Sequence, residues 1–251
     1  MVGETQSPSR NNTAVIYHRL REDILHGRLA AGSGLSQVQI ADHFGVSRGP
    51  VREALRLLQR EGLIVAELNR RARVTPFSAE DLEQLYAMRI LSEAFAVRVS
   101  VPHFTDADLE DLSQSLEEME RLTGGDVDAW EKPHLRFHAA LLAYAGERIL
   151  HLIEQWFEHS ERYRRIYIAD EPSAWRVGAR EHRSIFEACV NRHEVLAAEL
   201  LARHLSRTAL TVLGLVAPEH EPSVVRTAVR AATAVETPSP VSSRRVPNGA
   251  L

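Results

Sequence analysis

From residue 78 to residue 216 the chain consists of long amphipathic helical segments only, interrupted at Pro102, Gly124-Gly125, Gly146 and Pro172. Apolar side chains recurring every three to four residues commit a segment to a helix with one buried face. The breakers divide the run into helices expected near 79–101, 105–123, 126–145, 147–169, 172–191 and 193–216. Six helices on short connections bury their stripes together as an antiparallel bundle.

The preceding stretch is built from shorter pieces. A helical pattern begins at Thr13 and carries Val15, Ile16, Leu20, Ile24 and Leu25 on one side, until Gly27, Gly32 and Gly34 stop it. Ser36 is placed to cap a short helix holding Ile40, Ala41 and Phe44; Gly45 gives a tight turn, and Ser47 is placed to cap the next helix. Pro50 falls in that helix's first turn, where its missing N–H is harmless, and Gly62 closes the helix. Leu63 and Val65, then Arg73, Val74 and Thr75, read as two short strands around "ELNRRA". The expected fold is therefore mainly α: an N-terminal winged helix-turn-helix over 13–77, then an all-α antiparallel six-helix bundle over 78–216. A flexible arm, 1–12, precedes them. The segment 217–251, rich in Pro, Ser, Thr and Ala, is expected to be disordered.

Charge separates the two halves. Residues 1–77 balance at +4, residues 78–216 at −9 and residues 217–251 at +1. A basic head on an acidic body suits a head that meets a polyanion. No apolar run approaches the roughly 18–20 residues of a membrane span, and the N-terminus lacks the apolar core of a secretory signal. The single cysteine, Cys189, permits no internal disulfide and no thiolate-rich zinc module, and fits a cytoplasmic protein.

Within the head, Arg48, Arg52, Arg56 and Arg60 recur every fourth residue, while Val51, Leu55 and Leu58 form a second, apolar face. A recognition helix needs this division, because one face packs on its own domain and the other enters the major groove. Arg48 and Arg52, at the entering end, suit guanine O6 and N7. Ser47 and the backbone at Gly49 suit phosphates near the positive helix end. Arg56 and Arg60 suit phosphates or surface ion pairs, the latter with Glu53 and Glu61. Arg70, Arg71 and Arg73 add a basic wing.

The stretch "LSQVQIADHFGVSRGPVREALRLLQREGLI", and "VSRGPVREAL" above all, resembles the DNA-binding head of the GntR family of bacterial transcription regulators. The resemblance implies that Arg48 and Arg52 contact operator bases and that Gly49 lies against DNA. It also implies a dimer on a palindromic operator. Two positions depart from the family pattern: Val38 stands where a contacting arginine is usual, and Arg71 where the wing usually has glycine.

In the body, His134 and His138 lie four apart, hence one turn apart on one helix face, and His182 and His204 fall on two later helices. Four imidazoles suit zinc, nickel, copper or iron rather than magnesium or calcium. "SAEDLEQLYAMRILSEAFAV", "FHAALLAYAG" and "EHRSIFEAC" resemble the FCD ligand-binding domain of the FadR subgroup. That resemblance implies a divalent metal, zinc or nickel foremost, on His134, His138, His182 and His204, with His134 in place of the usual Asp. It also implies that Arg89 faces a small organic acid effector, the alternative for Arg89 being an internal ion pair with Glu93. Tyr86, Trp130 and Tyr163 are candidate cavity residues.

The function expected is a transcriptional regulator, by default a repressor, whose grip on double-stranded DNA responds to a carboxylate. The signal would pass through the first body helix, near 78–101. The rival reading is a metal-dependent hydrolase. Zincin chemistry wants a glutamate beside the first histidine, and Leu135 stands there.

Overall fold

The structure, a computed structural model, describes residues 8–65, 72–171 and 173–234, and side chains from residue 12 onward. The head comprises α1 (Pro8–Leu25), β1 (Gly34–Leu35), α2 (Gln37–Phe44), α3 (Arg48–Arg60), β2 (Ile64–Val65) and β3 (Ala72–Val74). Helix α1 starts about a turn ahead of the expected Thr13, inside the segment read as an arm. Ser36 caps α2 by accepting from the Gln39 N–H at 3.4 Å. Gly45 ends α2 at φ +63°, a conformation open to glycine at no steric cost. Ser47 occupies the N-cap position of α3 in extended conformation, but its hydroxyl makes no capping bond, contrary to expectation.

The wing holds one strand more than the hairpin read from sequence. Strand β3 lies between β1 and β2, antiparallel to both, with Leu35 opposite Ala72 and Ile64 opposite Val74. A two-residue strand such as β1 is too short to show alternation. The head closes on its own core: Ile16, Leu20 and Ile24 of α1 meet Val51, Leu55 and Leu58 of α3 and Ile64 and Val74 of the sheet.

The body comprises α4 (Ala79–Ser100), α5 (Asp106–Arg121), α6 (Val127–Leu141), α7 (Glu147–Asp170), α8 (Ala174–Val190) and α9 (Glu194–Val216), with a 3-10 turn at Val101–His103. Each start has a local cause. Ser78 accepts from the Asp81 N–H at 3.2 Å, Thr105 and Asp108 form a reciprocal capping box, and Asp126 accepts from the Asp128 N–H at 3.0 Å. A second core joins Leu82, Tyr86, Ile90 and Val97 of α4 to Leu201, Leu205 and Val212 of α9, with Phe137 and Ile185 between. No helix among the described residues is long and apolar enough to cross a membrane.

The segment after residue 216 departs from the expectation of disorder. Helix α10 (Ser223–Thr233) buries Val225 and Ala228 against α4 and α9. Glu83 of α4 accepts from the backbone N–H groups of Val224 and Val225 at 3.0 and 3.2 Å, and lies 2.7 Å from His220 Nε2. These are donors that a helix start leaves unpaired, so a body carboxylate caps this helix from outside. Residues 235–251 lie outside the described residues.

The head rests on α7. Arg21 of α1 pairs with Glu61 at 2.9 Å and also with Glu158 of α7, and His26 Nε2 lies 3.2 Å from Glu161. Arg162 donates to the Thr75 carbonyl at 3.5 Å and to Asp81 at 2.9 Å, so α7 also holds the connector between head and body.

Candidate DNA-reading face and buried histidine centre

Helix α3 divides as its sequence requires. Val51, Ala54 and Leu58 are fully buried, while Arg48, Arg52, Arg56 and Arg60 are exposed. Arg48 and Arg52, at the N-terminal end, make no hydrogen bond or ion pair with the other described residues. Arg56 is engaged by Glu53 at 2.9 and 3.1 Å, the surface pairing anticipated for it. Ser47 and Gly49 are exposed beside Arg48. A Cβ at Gly49 would meet only Ser47 Oγ at 3.9 Å, so packing within the chain does not demand glycine there. Val38 is 44% exposed on α2. Arg73 donates to the Gly32 carbonyl at 3.3 Å. Arg70 and Arg71 lie outside the described residues.

The four histidines converge. His134 and His138 come from α6, His182 from α8 and His204 from α9, and each offers a nitrogen within 4.8 Å of the others. All four are buried. His134 Nδ1, both nitrogens of His138, and His182 Nε2 are buried without a hydrogen-bond partner among the described residues. Leaving such an atom unpaired costs about 1–3 kcal/mol, so their concentration at one point calls for an occupant.

Behind three of the imidazoles stands a carboxylate, and behind each carboxylate an arginine. Glu181 lies 2.8 Å from His204 Nδ1 and accepts from Arg207 at 2.6 Å. Glu93 lies 3.7 Å from His138 Nδ1 and accepts from Arg89 at 2.7 Å. Glu131 lies 3.6 Å from His134 Nδ1 and is held by Arg164. At His204, where Glu181 is within hydrogen-bond range, the carboxylate at Nδ1 fixes the tautomer that leaves Nε2 as a ligand, the arrangement that supports metal-bound histidines; Glu93 and Glu131 stand just beyond that range of His138 and His134. Glu131 and Glu181 thus both stand behind metal-ligand candidates.

The electrostatics keep the imidazoles neutral. Burial depresses His138 to about 4 despite the opposing pull of Glu93. Burial also holds His134 and His182 well below their ordinary value and lowers His204 against Glu181. Burial pushes Glu93 up, but Arg89 and His138 outweigh it and hold the carboxyl at about 2. Glu131 is raised by burial, against the pull of Arg164. Neutral imidazole is the ligating form.

A cavity of about 40 Å³ opens on the centre, walled by Trp130, Arg164, Tyr167 and Trp175 and floored by His134, His182 and His204. Of the three aromatic residues expected to line it, only Trp130 does. The Tyr86 ring lies beside the Arg89 guanidinium, 5.4 Å from it, and Tyr163 donates to Asp81 at 2.7 Å near the connector. Arg89 does not line this cavity: its guanidinium donates to Glu93 and, at 2.7 Å, to Ser160. Arg164, Tyr167 and Trp175 were not singled out from sequence. Each looks like an ordinary helix residue until α7 and α8 are placed around α6.

A bare recognition helix on a winged head, carried by an all-helical body, defines a DNA-binding transcriptional regulator. The gntR family of bacterial regulatory proteins matches residues 12–74, and the FCD domain matches residues 84–207. The chain is 32% identical to the uncharacterized HTH-type transcriptional regulator BphR of Paraburkholderia xenovorans, over 78% of this chain and 83% of that protein. It is 30% identical to the HTH-type transcriptional regulator LutR of Bacillus subtilis, over 73% of this chain and 93% of that one. Among solved structures, E. coli McbR/YncC aligns over 86% of this chain and 99% of its own, with a TM-score of 0.68 and 21% identity, which speaks for the fold. The chain belongs to the GntR family, in the FadR subgroup whose body is an FCD domain. These relatives are transcriptional regulators, not enzymes, and lend the hydrolase reading no support.

Proposed function

We propose that this regulator is a metal-dependent repressor whose operator affinity is set by a small carboxylate bound in the body. The observation that carries the reading is the group of four buried neutral histidines with orphaned ring nitrogens. A divalent transition metal, zinc or nickel by ligand type, fits them. When bound, it supplies a positive charge and a Lewis-acidic point for an anion. The outer groups do not cancel that charge, because Arg89, Arg164 and Arg207 offset Glu93, Glu131 and Glu181 one for one. A buried site left with a double positive charge favours an anionic guest.

Arg48 and Arg52 would read base edges, with Ser47, Gly49, Arg56, Arg70 and Arg71 on phosphates. The protein would act as a homodimer on a palindrome. Exposed Met88, Leu91 and Phe95 on α4 offer an apolar stripe for the second copy. Arg89, expected to meet the effector, is better suited to support His138 through Glu93. The signal would reach the head through α7 as well as α4, since Phe157 and Arg164 border the histidine centre while Glu158, Glu161 and Arg162 hold the head.

The test is selection of a duplex from a randomised pool by the full-length protein, followed by metal analysis and anisotropy titration of that duplex. Acetate, lactate and citrate are then added with and without a chelator. The reading expects about one metal per chain, a palindromic duplex, and an affinity that changes with at least one acid only when metal is present. A protein that selects its duplex but binds no metal at the histidines contradicts it.

A further inference from the structure

The three Arg–Glu–His sets around the histidine centre are alike in chemistry and different in position. Only one arginine of the three, Arg164, lines the cavity. It is buried, at 6% exposure, and stacks over the Phe157 ring at 4.7 Å. Its Nε donates to Glu131 at 3.2 Å, its Nη2 also donates to Glu131, and its Nη1 reaches Ser160 Oγ at 3.4 Å. A guanidinium carries five N–H donors in a planar fork shaped for a carboxylate, and in this structure Glu131 fills that fork.

Glu131 therefore stands between the guanidinium at the cavity wall and the first histidine of the centre, which it does not quite reach: the His134 Nδ1 separation is 3.6 Å, beyond hydrogen-bond range. The side chain is 15% exposed and so is not locked in on every side. The corresponding set at His204 is closed, with Glu181 at 2.8 Å from Nδ1.

We propose that Arg164 is the anion anchor of this cavity and that Glu131 is its resident occupant, an internal carboxylate that the effector displaces. The inference rests on the carboxylate-responsive reading above and identifies the residue that holds the acid. The exchange keeps the buried guanidinium paired, because one carboxylate replaces another on it and it cannot stand unpaired without a large cost; the guest adds one negative charge to the site, which the divalent metal of the proposed function would offset. Glu131, released, turns to the His134 N–H one helical turn away on α6. The guest is a small carboxylate whose non-ionic part faces Trp130, Tyr167 and Trp175.

The test is calorimetric titration of acetate into the zinc-loaded full-length protein, its Glu131→Gln variant and its Arg164→Lys variant. Zinc stoichiometry and helical circular dichroism are checked for each. Glutamine keeps the size of the occupant and removes its charge, so Glu131→Gln should bind acetate on the order of tenfold more tightly than wild type. Lysine keeps the charge and loses the fork, so Arg164→Lys should bind it on the order of tenfold more weakly. The gain in the first variant cannot arise from misfolding, and it decides the matter even if the second fails to fold. An unchanged or weaker affinity in Glu131→Gln, or an unchanged affinity in a folded Arg164→Lys, overturns the proposal. If both variants behave as expected while acetate leaves duplex affinity unaltered, the anchor stands and the effector role does not.

Discussion

Replacing His138 by leucine separates the cost of the histidine centre from its use. His138 is 2% exposed and neither ring nitrogen has a hydrogen-bond partner among the described residues. Without metal, those two atoms cost about 1–3 kcal/mol each. Leucine has similar bulk and no polar atom, so the metal-free variant should melt no lower than the metal-free wild type. With zinc the order reverses. A ligand at a hundred times its dissociation constant stabilises the folded state by about 2.7 kcal/mol. For a chain of this length each kcal/mol moves the melting temperature by about 2–4 °C, so zinc should raise the wild type by roughly 5–10 °C. Loss of one ligand of four should reduce that increment to about 1–2 °C. The assay is thermal unfolding followed by circular dichroism, with chelator and with buffered zinc. A variant that melts several degrees below wild type in chelator, yet keeps the full zinc increment, would show that His138 is packing and no ligand.

Three further outcomes follow from the same contacts. His138 sits at about 4 in the folded protein against an ordinary 6.5, so between these values the unfolded chain binds more protons. Metal-free stability should therefore rise with pH through that window, be fully present above 6.5 and be lost toward 4, by about 3 kcal/mol for this residue; denaturant melts at pH 4.5 and 7 that agree would contradict this. Glu83→Ala removes the acceptor of two α10 backbone donors, at a cost of about 1–2 kcal/mol, and should expose the 217–233 segment to limited proteolysis, a change that an equally resistant variant would rule out. Arg21→Ala cuts the tie from α1 to Glu158 of α7, so amide exchange in α1 should accelerate while α9 stays protected; unchanged α1 protection would mean the head is held by other contacts.

Much of the architecture was legible in the sequence because the relevant signals are local. Breakers at Pro102, Gly124-Gly125 and Gly146 bound helices that fall within a few residues of their expected spans. The i, i+4 spacing of His134 and His138 and the buried stripe of α3 are equally local. What escaped detection depends on distant partners. Strand β1 has two residues and exists through pairing with β3. Helix α10 sits in a Pro-, Ser- and Ala-rich segment, and its cap comes from Glu83, far away in sequence. Arg89 was legible as a buried arginine beside Glu93, but its distance from the cavity was not. Arg164 reads as one arginine among several on α7, and only the packing of α6 on α7 sets it apart.

The proposed function requires Arg48 and Arg52 to carry sequence discrimination for the head. This requirement is tested most directly by measuring the affinity ratio between the selected palindrome and a scrambled duplex at one fixed salt concentration, for wild type, Arg48→Ala and Arg52→Ala. Each substitution should lower the ratio on the order of tenfold or more, leaving zinc content unchanged and scrambled-duplex binding only modestly weaker. A ratio equal to wild type in both variants would contradict the claim and move base reading elsewhere on the head.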